Sequence, residues 1–432
     1  MRARDISCAL FLGLICATSR GVGPDYLFND YPYPDRASEI LTPYPDLEEE
    51  EPTPGLFKSV KEPFIRDISF SLEPRLYFRS LENTTGVNSM FAGGGALGIT
   101  TGWWLDTVQL GATGYSSIPL ATNQDDIDRT GLVEAGGDGF AVLGQAWGKL
   151  RFGPATITLF RQELELPFIH GDDSRMVPNT FEAYQLEIEK EDIFRFNLGY
   201  VAKIKPRNSA VFIPMSEAAG IEEFDRGTGF VGFVLGSEER TYFEAITEVT
   251  FDLFNCTYVQ TGHTWKVTTE FELRGDIQFA DQRSVGEALL DDFNTQFYGA
   301  QLVASYKGAI FSLAYNHTAK GASIIDPYGA DPSFTGLMVS NFVSAGEDAY
   351  LVGLSYNFER LGLPDLTAFS NYVYGELPKN QWEHEFNATV DYEISKGPLK
   401  NLWLRLRYAF FETSERLQVN DFRVILNYSY EF

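Results

Sequence analysis

The sequence predicts an all-β fold, a transmembrane antiparallel β-barrel of about eighteen strands. Three observations carry this reading. From Ile68 onward apolar and polar residues alternate with a period of two, segment after segment. The apolar faces are rich in Phe and Tyr, which suit the interfacial girdles of a barrel. Connections alternate between short and long along the chain, as turns at one rim and loops at the other require.

Composition sets the outer bounds. The 432 residues carry 34 Lys and Arg against 60 Asp and Glu, a formal charge of −26. That excess excludes a general nucleic-acid binder, which needs a basic footprint. At 44 % hydrophobic the chain is no disordered polymer. Cys8 and Cys16 fall in the leader described next, so Cys256 stands alone and neither a disulfide framework nor a cysteine zinc site is expected.

Arg2 and Arg4 precede an apolar run from Ile6 to Ala17, and Ser19, Gly21 and Gly23 follow. A charged start, a short apolar core and a small-residue exit predict a secretory signal over residues 1–23. The run is too short to span a bilayer, which needs roughly 20 residues. Residues 24–63 hold Pro24, Pro32, Pro34, Pro43, Pro45, Pro52, Pro54 and Pro63 and the run Glu48 to Glu51. Missing donors and mutual repulsion predict an acidic periplasmic linker with no packed core. Residues 64–432 are the expected barrel domain.

In Ile68–Arg79, Ile68, Phe70, Leu72, Leu76 and Phe78 oppose Ser69, Ser71, Glu73, Arg75 and Arg79. Phe194, Phe196, Leu198, Tyr200 and Ile204 oppose Arg195, Asn197, Lys203 and Lys205. Phe271, Leu273, Ile277 and Phe279 oppose Glu272, Arg274, Asp276 and Gln278. Leu402, Leu404, Leu406, Tyr408 and Phe410 oppose Arg405 and Arg407, and Phe422 through Phe432 repeat the pattern around Arg423. A soluble sandwich would turn these apolar faces inward; a barrel turns them to lipid and lines its lumen with the polar faces. The amphipathic final strand ending on Phe432 resembles a bacterial outer-membrane sorting signal, which favours the barrel. The pattern over Tyr242–Val267 is weak and leaves the strand count open by two.

Closure has a chemical consequence. The first strand must pair with the last, and the last with its predecessor, so Arg75, Arg79, Arg405, Arg407 and Arg423 share one lumenal wall. Arg405 and Arg407 are two apart and point the same way, about 7 Å apart along the strand. Guanidinium groups in a water-filled lumen suit bidentate carboxylate binding, unless lumenal acids such as Glu73 and Glu431 pair with them and only stiffen the wall.

The segments Arg175–Tyr184 (RMVPNTFEAY), Lys203–Ser209 (KIKPRNS), Met215–Gly220 (MSEAAG), Asp326–Phe342 (DPYGADPSFTGLMVSNF), Gly397–Phe410 (GPLKNLWLRLRYAF) and Asp421–Tyr428 (DFRVILNY) resemble the OprD-like substrate-specific outer-membrane porins. The resemblance implies eighteen strands, long extracellular loops folding into the lumen as an eyelet, and a basic ladder facing an acidic or carbonyl-bearing patch. It implies passage of small carboxylate-bearing solutes, with oligosaccharides as the alternative.

By matching position, Arg405 and Arg407 are the expected ladder residues, followed by Arg423 and Arg161, with Arg75 and Arg79 on the same wall. Arg161 shares parity with Ala155, Ile157 and Leu159, so either a bulge turns it inward or it lies at the interface. Arg175 stands in the expected constriction loop. Asp326 and Asp331 are candidates for the acidic side, or else serve turn chemistry. Lys203, Lys205 and Arg207 climb toward an extracellular rim, where they steer anions or stand solvated. The acidic linker and the net charge depart from the family pattern.

Expected partners are small solutes, outer-membrane lipid and lipopolysaccharide, and the barrel-assembly machinery through the Phe432 strand, as a monomer or weak trimer without nucleic acid or cofactor. A rim-active enzyme is the rival reading. His170 with Asp172 and Asp173 is the nearest approach to a catalytic cluster, and it reads more simply as loop structure. Gly93–Gly95 lacks the Lys-Ser/Thr of a phosphate loop. A non-conducting adhesin or structural barrel is the other rival.

Overall fold

The computed structural model describes residues 62–84, 86–123, 129–190 and 193–432. The expected signal segment and the linker up to residue 61 lie outside these residues. Pro63, the last residue of the expected linker, opens a one-turn helix α1 (Pro63–Arg66), where its missing N–H and fixed φ suit a first helical position.

Eighteen wall strands follow among the described residues. They are β1 (Ser69–Asn83), β2 (Gly86–Thr100), β3 (Val108–Thr122), β4 (Phe140–Phe152), β5 (Ala155–Gln162) and β6 (Thr180–Lys190). Next come β7 (Phe194–Lys205), β8 (Thr228–Gly236), β9 (Thr241–Thr250), β10 (Phe254–Lys266), β11 (Phe271–Ser284) and β12 (Asn294–Tyr306). The last six are β13 (Ala309–Thr318), β14 (Asp348–Asn357), β15 (Leu366–Leu377), β16 (Gln381–Glu393), β17 (Leu402–Thr413) and β18 (Gln418–Tyr428). Each pairs antiparallel with its neighbours, and β1 pairs with β18 to close the barrel. The ambiguous stretch around Tyr242–Val267 is two strands joined through residues 251–253, so the even count stands.

Closure satisfies the sheet edges, which hydrocarbon would otherwise leave without partners. The seam is finished at its periplasmic end by Phe432. Its N–H donates to the Phe70 carbonyl at 3.0 Å, the Phe70 N–H donates back at 2.9 Å, and the two rings stack at 5.4 Å. Alternation sorts the two faces as expected: Leu72, Leu76, Leu198, Tyr200, Ile277, Leu406 and Phe422 are exposed on the outside, while Tyr77, Arg79, Arg274, Arg407 and Arg423 are buried inside.

The turns at the N-terminal rim are tight. Lys307 and Gly308 both take positive φ, 51° and 83°, as a two-residue hairpin turn that follows strand twist demands. The opposite rim carries the long connections, residues 163–179, 206–227 and 319–347. Residues 163–179 and 319–347 fold inward and pack onto the lumenal strand faces, which together with them form the apolar core. Leu164, Leu166, Phe168 and Ile169 of the first pack with Ile324, Tyr328 and Val343 of the second, against Phe254, Cys256 and Tyr258 of β10.

Candidate functional site at the lumenal constriction

The strand register fixes the arginines before any side chain is considered. Arg79 stands directly across from Arg423, and Arg423 across from Arg407. Three like charges in one cross-strand row are unfavourable, and the burial of all three compounds the cost. Asp421 offsets it. Its carboxylate accepts Nε and Nη2 of Arg79 at 3.1 and 2.6 Å and also Nε of Arg423 at 3.1 Å. Arg79 Nη1 donates to the Thr130 carbonyl at 2.6 Å.

Nearer the periplasmic end the wall opens to water. Arg405 forks onto Asp391 at 2.7 and 3.0 Å and lies 4.4 Å over the Trp403 ring. The Trp403 indole N–H donates to the same carboxylate at 3.1 Å, so the ring orients both partners. Arg75 forks onto Asp173 at 2.7 and 2.6 Å. Its Nε donates to Asn427 Oδ1 at 2.7 Å, and Nη1 also donates to the Arg175 carbonyl. The side chains of Arg405 and Arg75 are 13 % and 16 % exposed, against 1 % and 0 % for Arg79 and Arg423. These arginines thus divide into a buried upper row and a partly exposed lower pair.

Arg161 belongs to neither. Thr158 and Gln162 on the same strand are buried, while Leu159 and Phe160 are both exposed, with Phe160 at φ 79°. Arg161 keeps the parity of Leu159. It pairs with Glu182 at 3.0 Å and lies 4.1 Å over the ring of Phe212, at the long-loop end of β5. The structure therefore separates it from the arginine wall.

Residues 163–179 bring the remaining predicted positions together. At the base of the loop, Tyr115 donates its hydroxyl to Glu163 at 2.7 Å. In the middle, the His170 N–H donates to the Tyr328 carbonyl at 3.0 Å, and Phe168 meets Tyr258 edge-on at 6.2 Å. Near the apex Arg207 pairs with Asp172 and donates to Ser174 Oγ at 2.7 Å. The Tyr77 hydroxyl donates to the Ser174 carbonyl at 3.2 Å. Arg175 is buried, 3.1 Å from where a Cβ on Gly131 would stand, and Gly131 itself holds φ +70°.

Lys205 and Arg207 do not stand free at a rim. Lys205 is fully buried and donates to the Pro178 and Pro206 carbonyls at 2.9 and 3.0 Å. Both tie residues 163–179 in place. The sequence pattern misses this because Ala183 pairs with Val201 while Glu182 pairs with Lys203, leaving Ala202 as a bulge that shifts everything after it. Lys203, across from Glu182, remains half-buried.

Asp326 and Asp331 serve residues 319–347 internally. Asn341 Nδ2 donates to Asp326 at 2.9 Å, and the Ser333 N–H donates to Asp331 at 2.7 Å. Asp331 is buried, and desolvation aided by Asp326 pushes its carboxyl well above the usual range. Glu347, at the loop's end, is raised by burial and by Glu383. The loop is also held through its backbone: Glu385 on β16 accepts the N–H groups of Met338, Val339 and Ser340 at 2.8, 3.1 and 3.0 Å.

The carboxylates that meet the arginines are therefore Asp421, Asp391 and Asp173, none of them assigned to the arginine wall by sequence. Asp421 was legible in principle, two residues before Arg423 on the same strand face. His170 offers no catalytic arrangement, since its Nδ1 accepts the Asp172 N–H at 2.9 Å and closes a turn.

Comparison with known proteins places this geometry. The family model described as outer membrane porin, OprD family, matches residues 62–432. Porin D of Pseudomonas aeruginosa is 21 % identical over 409 residues, spanning 84 % of this chain and 91 % of its own. The crystal structure of OccK9 (OpdG) from Pseudomonas aeruginosa superposes with a TM-score of 0.80 at 25 % identity, over 86 % of this chain and all of that one. OpdK of the same organism, solved with vanillate, gives 0.78 at 22 %, over 85 % of this chain and all of the other.

Proposed function

The chain belongs to the OprD family of outer-membrane porins, and from that premise we propose that its solutes bear a carboxylate, read by Arg405 and Arg75 on the lumenal wall. The premise makes the protein a substrate-specific channel of the bacterial outer membrane that passes small solutes, and not an enzyme.

One observation carries the solute class. Two arginines reach lumenal water from one wall, with three more arginines packed behind them on the same strands. Five guanidinium groups against the three carboxylates of Asp421, Asp391 and Asp173 leave that wall a positive surplus in a chain of strongly negative total charge. A planar fork held by an aromatic face or an amide is pre-organised for a carboxylate and offers little to a neutral solute of equal size. Vanillate, the ligand of OpdK, is itself an aromatic carboxylate. That neighbour supports the reading by likeness of fold, while the solute class rests on this chain's own wall.

Proteoliposome swelling tests it. Benzoate enters faster than benzamide through the wild-type channel, and Arg405→Ala combined with Arg75→Ala removes the difference. Equal rates for the two solutes in the wild type overturn the reading, and faster swelling with neutral sugars than with either replaces it with the oligosaccharide alternative.

A further inference from the structure

We propose that Asp173 is a resident carboxylate that an incoming solute carboxylate displaces from Arg75, which makes passage an exchange of like for like. The proposal rests on the carboxylate reading above and names a specificity device within it.

Two adjacent acids at the apex of residues 163–179 have opposite surroundings. Asp172 is 2 % exposed beneath Arg207, with its backbone held at φ 45° and bonded to His170. Asp173 is 52 % exposed and spans both of its oxygens across the Nη atoms of Arg75. A solute carboxylate would make this same fork-to-fork contact. Asp173 is open to water on its side of the pair, so its carboxylate is rehydrated as it leaves and exchange is cheap.

The receiving group is fixed independently of its occupant. With Asp173 turned away, Arg75 keeps its bonds to Asn427 Oδ1 and to the Arg175 carbonyl, so the guanidinium holds its direction. The loop around it also stays. Leu164, Leu166, Phe168 and Ile169 are buried in one cluster, Met176 and Val177 in another beside Tyr77 and Tyr115. Only the Asp173 side chain needs to rotate toward lumenal water. A carboxylate replaces the charge and both hydrogen bonds that Asp173 gives up. A neutral solute would leave Arg75 and Asp173 both unpaired, so the pair stays shut against it.

The test uses the full chain in planar bilayers and reads the benzoate concentration that half-blocks the ion current. Asp173→Asn lowers that concentration by roughly fivefold, the upper end for a surface pair, and leaves the value for benzamide unchanged. Asp173→Glu restores the wild-type value, which separates lost competition from a damaged loop. In an Arg75→Ala background Asp173→Asn has no further effect. If Asp173→Asn leaves benzoate block unaltered, or shifts benzamide equally, in a channel that still prefers benzoate in swelling, the displacement is overturned and the carboxylate reading stands. A wild-type channel with no preference for benzoate overturns both.

Discussion

Two walls of one barrel carry different kinds of information. The wall of β17, β18 and β1 alternates cleanly, and its lumenal face is charged. The wall of β9, β10 and β11 places Phe254, Cys256 and Tyr258 on its lumenal face, buried under residues 163–179 and 319–347. Hydrocarbon fixes the outer face of both. What differs is the main filling: paired ions, reaching water at Arg405 and Arg75, against one wall, and folded loop against the Phe254 end of the other. Further along β11, Arg274 and Asp276 pair. A lumenal strand face therefore reports its occupant, and an apolar one marks where a loop docks.

Breaking the arginine wall gives the largest expected effect. Asp421→Asn leaves Arg79, Arg423 and Arg407 in one buried row without the carboxylate that joins two of them. The loss is about 3–5 kcal/mol, read as denaturant unfolding in detergent micelles. A change below about 1 kcal/mol would mean that other groups neutralise the row. On the other wall, Phe168→Ala empties the contact with Tyr258 and costs about 3 kcal/mol. There the loop loosens first, so single-channel conductance rises and becomes noisier, whereas Arg405→Ala changes selectivity with little change in unfolding midpoint.

Those two substitutions also measure how far the sequence could be read. Closure, the shared arginine wall and the strand number to within two follow from period-two alternation, because lipid imposes it on every outward face. Asp391 was hidden because its role depends on standing across from Arg405, which only the register of β16 and β17 supplies. Lys205 and Arg207 were misplaced because the Ala202 bulge interrupts the period, while Arg161 follows the second of its two expected placements. The pairing of Asp173 with Arg75 had no local signal, since the two lie 98 residues apart.

Smaller effects probe the docked loop of residues 319–347. Gly375 on β15 has no room for a side chain, because a Cβ there would meet Oε1 of Glu347. Gly375→Ala displaces that carboxyl and costs about 1–3 kcal/mol, measured as faster proteolysis within residues 319–347 of the intact barrel. The smallest change is with pH. Asp331 and Glu347 have folded pKa values raised by burial, so the docked loop binds their protons more tightly than the undocked one. Their contribution is fully present below the ordinary carboxylate range, about pH 4, and is lost as pH rises through the raised values. Current noise therefore increases with pH, and Glu347→Gln flattens the increase.

Glu385 grips residues 319–347 by three consecutive main-chain N–H groups. Every residue except proline supplies such a group, so this anchor is indifferent to which side chains the loop displays. The mooring itself asks nothing of the Met338, Val339 and Ser340 side chains, although Met338 is fully buried and the Ser340 hydroxyl also donates to Glu383 at 2.6 Å. The lumen can acquire a new lining by ordinary point changes in the loop while its strand scaffold stays untouched, which gives a rigid pore a route to new solutes.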